Sequence, residues 1–286
     1  MPFFPSYDGT ELAYHDLGSG RPLLCLPGGP QDSVYLGDLG GLSAHRRLIR
    51  PDLRGTGLSG LPADLASCRC DRLADDVEAL CEHLGLDRVD VLAHSAGANI
   101  AVQWASRRPE RVGRLVLVTP SVRAVGLAIT AGLRRETALL RRDEPWFPEA
   151  FAALEAIAAG EAGAGHWEAL APFSYGRWDD TARAHQAAER EQMRDEVVAA
   201  FGAEGAFDPD GTRAALARLA APVLLLAGRV DVGAPPATVA EFAGLFPDAE
   251  LVVQPGAGHF PWLDDAGRFV SAVAGFLTGG AAVRTS

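Results

Sequence analysis

The chain has 286 residues, 48% of them hydrophobic, and a formal net charge of −11. That length suits one large α/β domain or two small ones, and the acidic balance argues against a nucleic-acid partner, which needs a basic face. All 26 basic residues are arginine, which excludes lysine chemistry such as a Schiff base. The segment Met1-Pro2-Phe3-Phe4-Pro5-Ser6-Tyr7-Asp8 has no basic stretch followed by an apolar core, so no signal peptide is expected. No run of about 18 apolar residues occurs, so no membrane span is expected either. Four cysteines (Cys25, Cys68, Cys70, Cys81) do not make a disulfide framework in a chain this long, and a reducing, cytoplasmic setting fits them better. Cys68-x-Cys70 lacks a second Cys or His pair, so no metal site is expected.

Along the chain, Asp8-Gly9 is a turn dipeptide between two short apolar segments, which predicts a hairpin. Pro22–Leu26 reads as a buried strand and ends in Gly28-Gly29-Pro30. Arg47–Ile49 is a second such run. Leu73–Leu84 carries apolar residues at helical spacing and stops at Gly85, a plausible C-cap. Val89–Ala93 is the next strand, and Ala98–Ala105 the helix after it. Leu115–Val118 follows and ends in Thr119-Pro120. Val223–Ala227 and Glu250–Val253 are the last strands, and Phe269–Phe276 the last helix. Apolar strands alternating with helices imply a parallel sheet covered on both faces. The alternation stops between residues 121 and 219, where the pattern is helical and rich in Ala, Arg, Glu and aromatics. The expected division is a core of residues 1–120 and 220–286 with a helical cap of residues 121–219.

One junction carries chemistry. Ala93-His94-Ser95-Ala96-Gly97 lies between strand and helix, and small-x-Ser-x-Gly there is the layout of a nucleophile elbow. A serine hydroxyl needs a general base within hydrogen-bond reach. His94 adjoins the serine, with its side chain expected to point away from Oγ. His15, His45, His83, His166 and His185 sit in hairpin or helical segments without a motif and read as structural or exposed. His259 follows a late strand in the loop Gly256-Ala257-Gly258-His259, at the sheet edge where parallel sheets build their sites. An acid must orient that imidazole, and Asp231 opens the loop after Val223–Ala227. A tetrahedral intermediate needs N–H donors. The glycine pair after Pro22–Leu26 and the residue after Ser95 suggest the N–H groups of Gly29 and Ala96.

The order Ser95, Asp231, His259, together with Asp52-Leu53-Arg54-Gly55-Thr56-Gly57-Leu58-Ser59, resembles the α/β-hydrolase superfamily over nearly the whole chain. Within it the sequence is most similar to the proline iminopeptidase-like group, through Gly28-Gly29-Pro30, the Gly228-Arg229-Val230-Asp231…Pro235-Pro236 loop and Gly256-Ala257-Gly258-His259. It departs from that group at Pro27 and Gln31 beside the glycine pair. Its elbow is closer to those of general esterases. The resemblance implies an α/β-hydrolase fold: a mostly parallel sheet of about eight strands, helices on both faces and an inserted helical cap. It implies a serine hydrolase that cleaves an ester or amide bond of a small molecule bearing a carbonyl group, with no cofactor or metal. Gly28, His94, Trp178, Glu191 and Phe260 are candidates for the substrate site, Glu191 as the carboxylate that would hold a free amine. An aminopeptidase, a carboxylesterase or a thioesterase acting on a hydrophobic small molecule is compatible with these residues. So is a cofactor-free lyase or perhydrolase, or a non-catalytic binding protein on the same fold.

Overall fold

The computed structural model describes residues 1–190 and 194–279. The strands are β1 (Phe3–Pro5), β2 (Glu11–Leu17), β3 (Pro22–Leu26), β4 (Arg47–Pro51), β5 (Val89–His94), β6 (Val112–Val118), β7 (Val223–Gly228) and β8 (Ala249–Gln254). They form one sheet in the order β1-β2-β4-β3-β5-β6-β7-β8. β1 and β2 pair antiparallel, as do β2 and β4, and every later pairing is parallel. β6 begins three residues before its apolar run because Val112 pairs with Val89. β3 sends the chain outward to β4, and β5 returns it to the other side. The strand order therefore reverses between β3 and β5, and open α/β sheets form their crevice outside the carboxyl ends of the strands at such a point.

Period-two alternation in each strand splits the interior into two cores. Leu24, Leu26, Val91, Ala93, Leu115, Leu117, Val223 and Leu225 face one side. Leu23, Cys25, Leu92, Val116, Val118, Leu224 and Leu226 face the other. The first side is covered by α1 (Cys70–His83), which buries residues 73, 74, 77, 80 and 81, and by α2 (Gly97–Arg107). β8 differs from the expectation of a strand buried on both faces. It has a neighbour on one side only, so most of its residues are half-buried and Leu251 is exposed. All four cysteines are buried free thiols.

Between β6 and β7 lie α3 (Ala131–Ala138), α4 (Phe147–Ala158), α5 (Ala164–Leu170), α6 (Asp180–Arg190), α7 (Asp195–Phe201) and α8 (Pro209–Leu216). This segment is not uniform. Val122, Val125, Phe201, Leu216 and Leu219 join the main core. Ala138, Ala150, Leu154 and Phe173 form a small separate core with Trp146, Phe147 and Phe151 packed on it. After β7 come α9 (Pro236–Ala243), α10 (Pro261–Asp264) and α11 (Ala266–Leu277), the last packed on the second core.

The 52–59 motif is a structural knot beside the sheet. The Asp52 carboxylate accepts from Ser33 N–H at 3.0 Å, Ser33 Oγ at 2.9 Å and Leu58 N–H at 3.1 Å. Gly57 must be glycine, because it sits at φ +51 and a Cβ there would collide with that carboxylate. Arg54 is fully buried. Its Nε and Nη2 fork onto Asp76 at 2.7 and 2.6 Å, and Nη1 reaches Asp8, whose carboxyl is thereby held well below the usual range. Removing one partner of such a pair leaves the other charge buried and uncompensated. Arg54→Met is therefore expected to lower stability by about 3–5 kcal/mol, read as a fall in the urea midpoint at unchanged slope. A loss below about 1 kcal/mol would show that the pair contributes no more than a surface ion pair does.

Candidate active site

β5 delivers Ser95 into a sharp turn. Its backbone sits at φ +50, a left-handed conformation that serine rarely adopts. The turn is pinned from both sides: Ser95 N–H donates to Val118 O at 3.0 Å, and Ser121 N–H donates to Ser95 O at 2.9 Å. α2 starts two residues later at Gly97. A Cβ there would run into the carbonyl oxygens of Pro27 and Leu26, so only glycine lets α2 pass this close to the end of β3. Ser95 and Ala96 are half-buried between fully buried neighbours, which leaves the turn partly open to solvent.

His259 and Asp231 arrive from the ends of β8 and β7. His259 Nε2 lies 2.8 Å from Ser95 Oγ, and His259 Nδ1 lies 2.7 Å from Asp231 Oδ2. Asp231 is 1% exposed, and its other oxygen accepts from Gly233 N–H at 2.7 Å. A carboxylate only accepts, so His259 carries its proton on Nδ1. Nε2 is left as a bare acceptor for the Ser95 hydroxyl. The three residues singled out in the sequence are thus brought into one hydrogen-bonded line.

The His259 loop is held by the segment between β6 and β7 as much as by the sheet. His259 N–H donates to Ser174 O at 2.7 Å. The Asp264 carboxylate joins the two sides, accepting from Gly258 N–H and Gly176 N–H at 2.8 Å each. Burial pushes the Asp264 carboxyl up, and those two donors pull against it. The His259 carbonyl accepts from Thr119 Oγ1 at 2.8 Å and from His94 Nε2 at 2.9 Å. On the acid loop, Arg134 of α3 donates to Val232 O at 2.7 Å.

The loop after β3 lies directly against the serine. A Cβ on Gly28 would come within 2.9 Å of Ser95 Cβ, so Gly28 serves close packing. Its N–H is taken by Tyr35 Oη at 2.6 Å. Gly29 is half-buried at φ +108. Among the described residues, no protein acceptor takes the N–H of Gly29 or of Ala96.

Three of the substrate-site candidates pack against neighbouring rings, and His94 points away from Ser95 Oγ as its position beside the serine predicts. His94 is 1% exposed, with Nδ1 2.7 Å from Tyr35 Oη and Nε2 on the His259 carbonyl. Phe260 is 2% exposed and wedged among Tyr175, His94 and His185, with ring centroids at 5.1, 5.3 and 4.6 Å. Trp178 lies against Tyr175, under the Arg183 guanidinium. It lines a surface pocket with Trp146 and Glu168 that Ser95, Asp231 and His259 do not enter. Glu191 lies outside the described residues. No local motif marks Tyr35, Thr119, His185 or Asp264, each of which has a partner far along the chain; Thr119 stands out only as the residue that closes Leu115–Val118. Among the described residues, no group of three His, Cys, Asp or Glu is placed to hold a metal ion, and no helix is long and apolar enough to cross a membrane.

Burial pushes the His94 imidazole well below the ordinary histidine range, and the neighbouring His259 adds to that push. Unfolded, a histidine binds a proton near pH 6.5; folded His94 does not. In that window the unfolded state holds the extra proton, so stability rises with pH and is lost on acidification. One proton corresponds to about 1.4 kcal/mol per pH unit. His94→Gln titrates in neither state. Between pH 6.5 and 5 it is expected to lose less stability than the wild type, by up to about 2 kcal/mol, measured by urea unfolding at each pH. Parallel pH dependences would place a protonated His94 inside the fold.

Residues 21–266 match the model of the alpha/beta hydrolase fold family. The chain is 30% identical to a 2-hydroxymuconate semialdehyde hydrolase of Pseudomonas sp. (strain CF600), across 94% of this chain and 91% of that one. It is 32% identical to a proline iminopeptidase of Heyndrickxia coagulans, but over 39% of each chain. Among solved structures it is similar to a proline iminopeptidase from Mycobacterium smegmatis (TM-score 0.74, 26% identity, 97% of each chain). It is also similar to a thermophilic esterase from Thermogutta terrifontis (TM-score 0.70, 27% identity, 97% of this chain and 98% of that one). The chain belongs to the α/β hydrolase fold family and is a hydrolase.

Proposed function

We propose that this hydrolase cleaves an ester or amide bond of a small molecule through an acyl-enzyme on Ser95. The observation that carries the reading is the unbroken line from Ser95 Oγ through His259 to Asp231, at 2.8 and 2.7 Å. Oγ attacks the carbonyl carbon while His259 Nε2 takes its proton. Asp231 keeps the ring in the one tautomer that can do this and stabilises the imidazolium that forms. The N–H groups of Gly29 and Ala96 are the donors for the developing oxyanion. Each such donor is worth about 3 kcal/mol of transition-state stabilisation. His259 then protonates the leaving group, and later activates the water that releases the acyl chain. In this reading the part of the segment between β6 and β7 that packs apart from the main core serves as a cap, and the stretch 174–176 fastens it to the His259 loop.

The named relatives divide the substrate question. A relative matched over nearly its full length is named a 2-hydroxymuconate semialdehyde hydrolase, and a shorter match is named a proline iminopeptidase. A panel separates these: activated acyl esters, thioesters, aminoacyl arylamides with and without a free α-amine, and 2-hydroxymuconate semialdehyde. Preference for a free amine supports an aminopeptidase, and indifference to it an esterase. Ser95→Ala is expected to lower kcat on the best substrate by about 10⁴-fold or more and to abolish covalent labelling by a fluorophosphonate. Full labelling of that variant would remove Ser95 from the reaction.

A further inference from the structure

We infer that His94 is a positioning residue: with Tyr35 it ties the glycine loop after β3 to the backbone of His259. The link runs Gly28 N–H to Tyr35 Oη at 2.6 Å, Tyr35 Oη to His94 Nδ1 at 2.7 Å, and His94 Nε2 to His259 O at 2.9 Å. Its proton order follows from its ends. A backbone carbonyl only accepts, so His94 carries a hydrogen on Nε2. A neutral ring then has a bare Nδ1, so Tyr35 donates to it. A backbone N–H only donates, so the Tyr35 oxygen accepts from Gly28. Each member fixes the next, and one tautomer of His94 satisfies all three bonds.

The surroundings hold that tautomer. His94 is 1% exposed and packs against Tyr35, His259, Phe260 and Trp262, with ring centroids between 4.9 and 5.6 Å. The titratable groups facing it are Tyr35, His259 and, farther off, His185 of α6; none supplies a negative charge that would favour a protonated ring. Burial keeps it neutral. The link spans the two loops that must be in step. Gly28 precedes the proposed oxyanion donor Gly29, and His259 is the proposed base. His94 itself adjoins the proposed nucleophile. Thr119 Oγ1 bonds the same His259 carbonyl and steadies its far side.

The inference rests on the acyl-enzyme reading for its kinetic consequence, but not for its tautomer. The test uses the full chain with an activated acyl ester. Tyr35→Phe deletes one oxygen, and with it two of the three bonds, while keeping the ring among its neighbours. His94→Ala removes the central member, and His94→Gln restores a donor toward the His259 carbonyl. Tyr35→Phe and His94→Ala are expected to lower kcat by about tenfold or more with KM within about threefold, as small misplacements of reacting groups do. His94→Gln should recover part of that loss. Nitrogen-15 NMR of the wild-type imidazoles, assigned by the signal lost in His94→Gln, should show a neutral Nε2–H ring at pH 7 that does not titrate down to about pH 5.5. A kcat for Tyr35→Phe within twofold of wild type overturns the inference. So does a wild-type His94 that carries its proton on Nδ1 or titrates near 6.5. The spectra decide the tautomer even if Ser95→Ala retains activity and the acyl-enzyme reading fails.

Discussion

The site depends on a serine held in a backbone conformation that side-chain-bearing residues avoid. At φ +50, Ser95 carries strain of about 1–3 kcal/mol, which persists only where its surroundings over-determine it. Here they do. The Ser95 N–H and C=O are both engaged with residues at the end of β6, and α2 is already winding two residues later. Gly28 and Gly97 admit the end of β3 to within contact of this turn, and any larger residue at either place would push it away. The strained turn leaves Ser95 Oγ 2.8 Å from His259 Nε2, with Ser95 and Ala96 half-buried between fully buried neighbours.

The histidine is placed differently. β8 is an edge strand, half-buried and paired on one side, so the sheet alone gives its loop little rigidity. The rigidity comes from outside the sheet. Ser174 O and the Asp264 carboxylate hold the backbone of residues 258 and 259, and Gly258 lets the 174–176 stretch pack within 2.6 Å of where its Cβ would be. Arg141 holds that stretch in turn, donating to Tyr175 O at 2.8 Å. The segment between β6 and β7 therefore helps define the position of His259. Displacing residues 174–176 would disturb the backbone of His259 as well.

Much of this was legible in the sequence, because it rests on local signals. Apolar runs punctuated by Gly and Pro gave the strands, and the loops after them presented Gly28-Gly29, Ser95, Asp231 and His259 in order. What escaped depends on partners distant in the chain. His94 reads as a residue beside the nucleophile, and nothing near it says that Tyr35, 59 positions earlier, fills its Nδ1. His185 reads as one histidine on a helix, yet its ring packs on Phe260. Asp264 carries no motif, and its two N–H partners lie 6 and 88 positions away. The aromatics between residues 146 and 173 have the spacing of either a binding surface or a core. The fold puts Trp146, Phe147, Phe151 and Phe173 into a core.

The neutrality of His94 also bears on the charge that forms beside it. In the proposed cycle His259 becomes an imidazolium, with its ring centroid 4.9 Å from that of His94. Two positive charges at that separation repel by about 3 kcal/mol at an effective dielectric constant near 20. A protonated His94 would therefore oppose the imidazolium by as much as one oxyanion donor favours the transition state. Burial and the hydroxyl hydrogen donated by Tyr35 keep Nδ1 occupied and the ring uncharged. The charge that develops at His259 then meets Asp231 on one side and a neutral, oriented dipole on the other. A histidine at position 94 thus supplies a donor to the His259 backbone without adding a cation to the site.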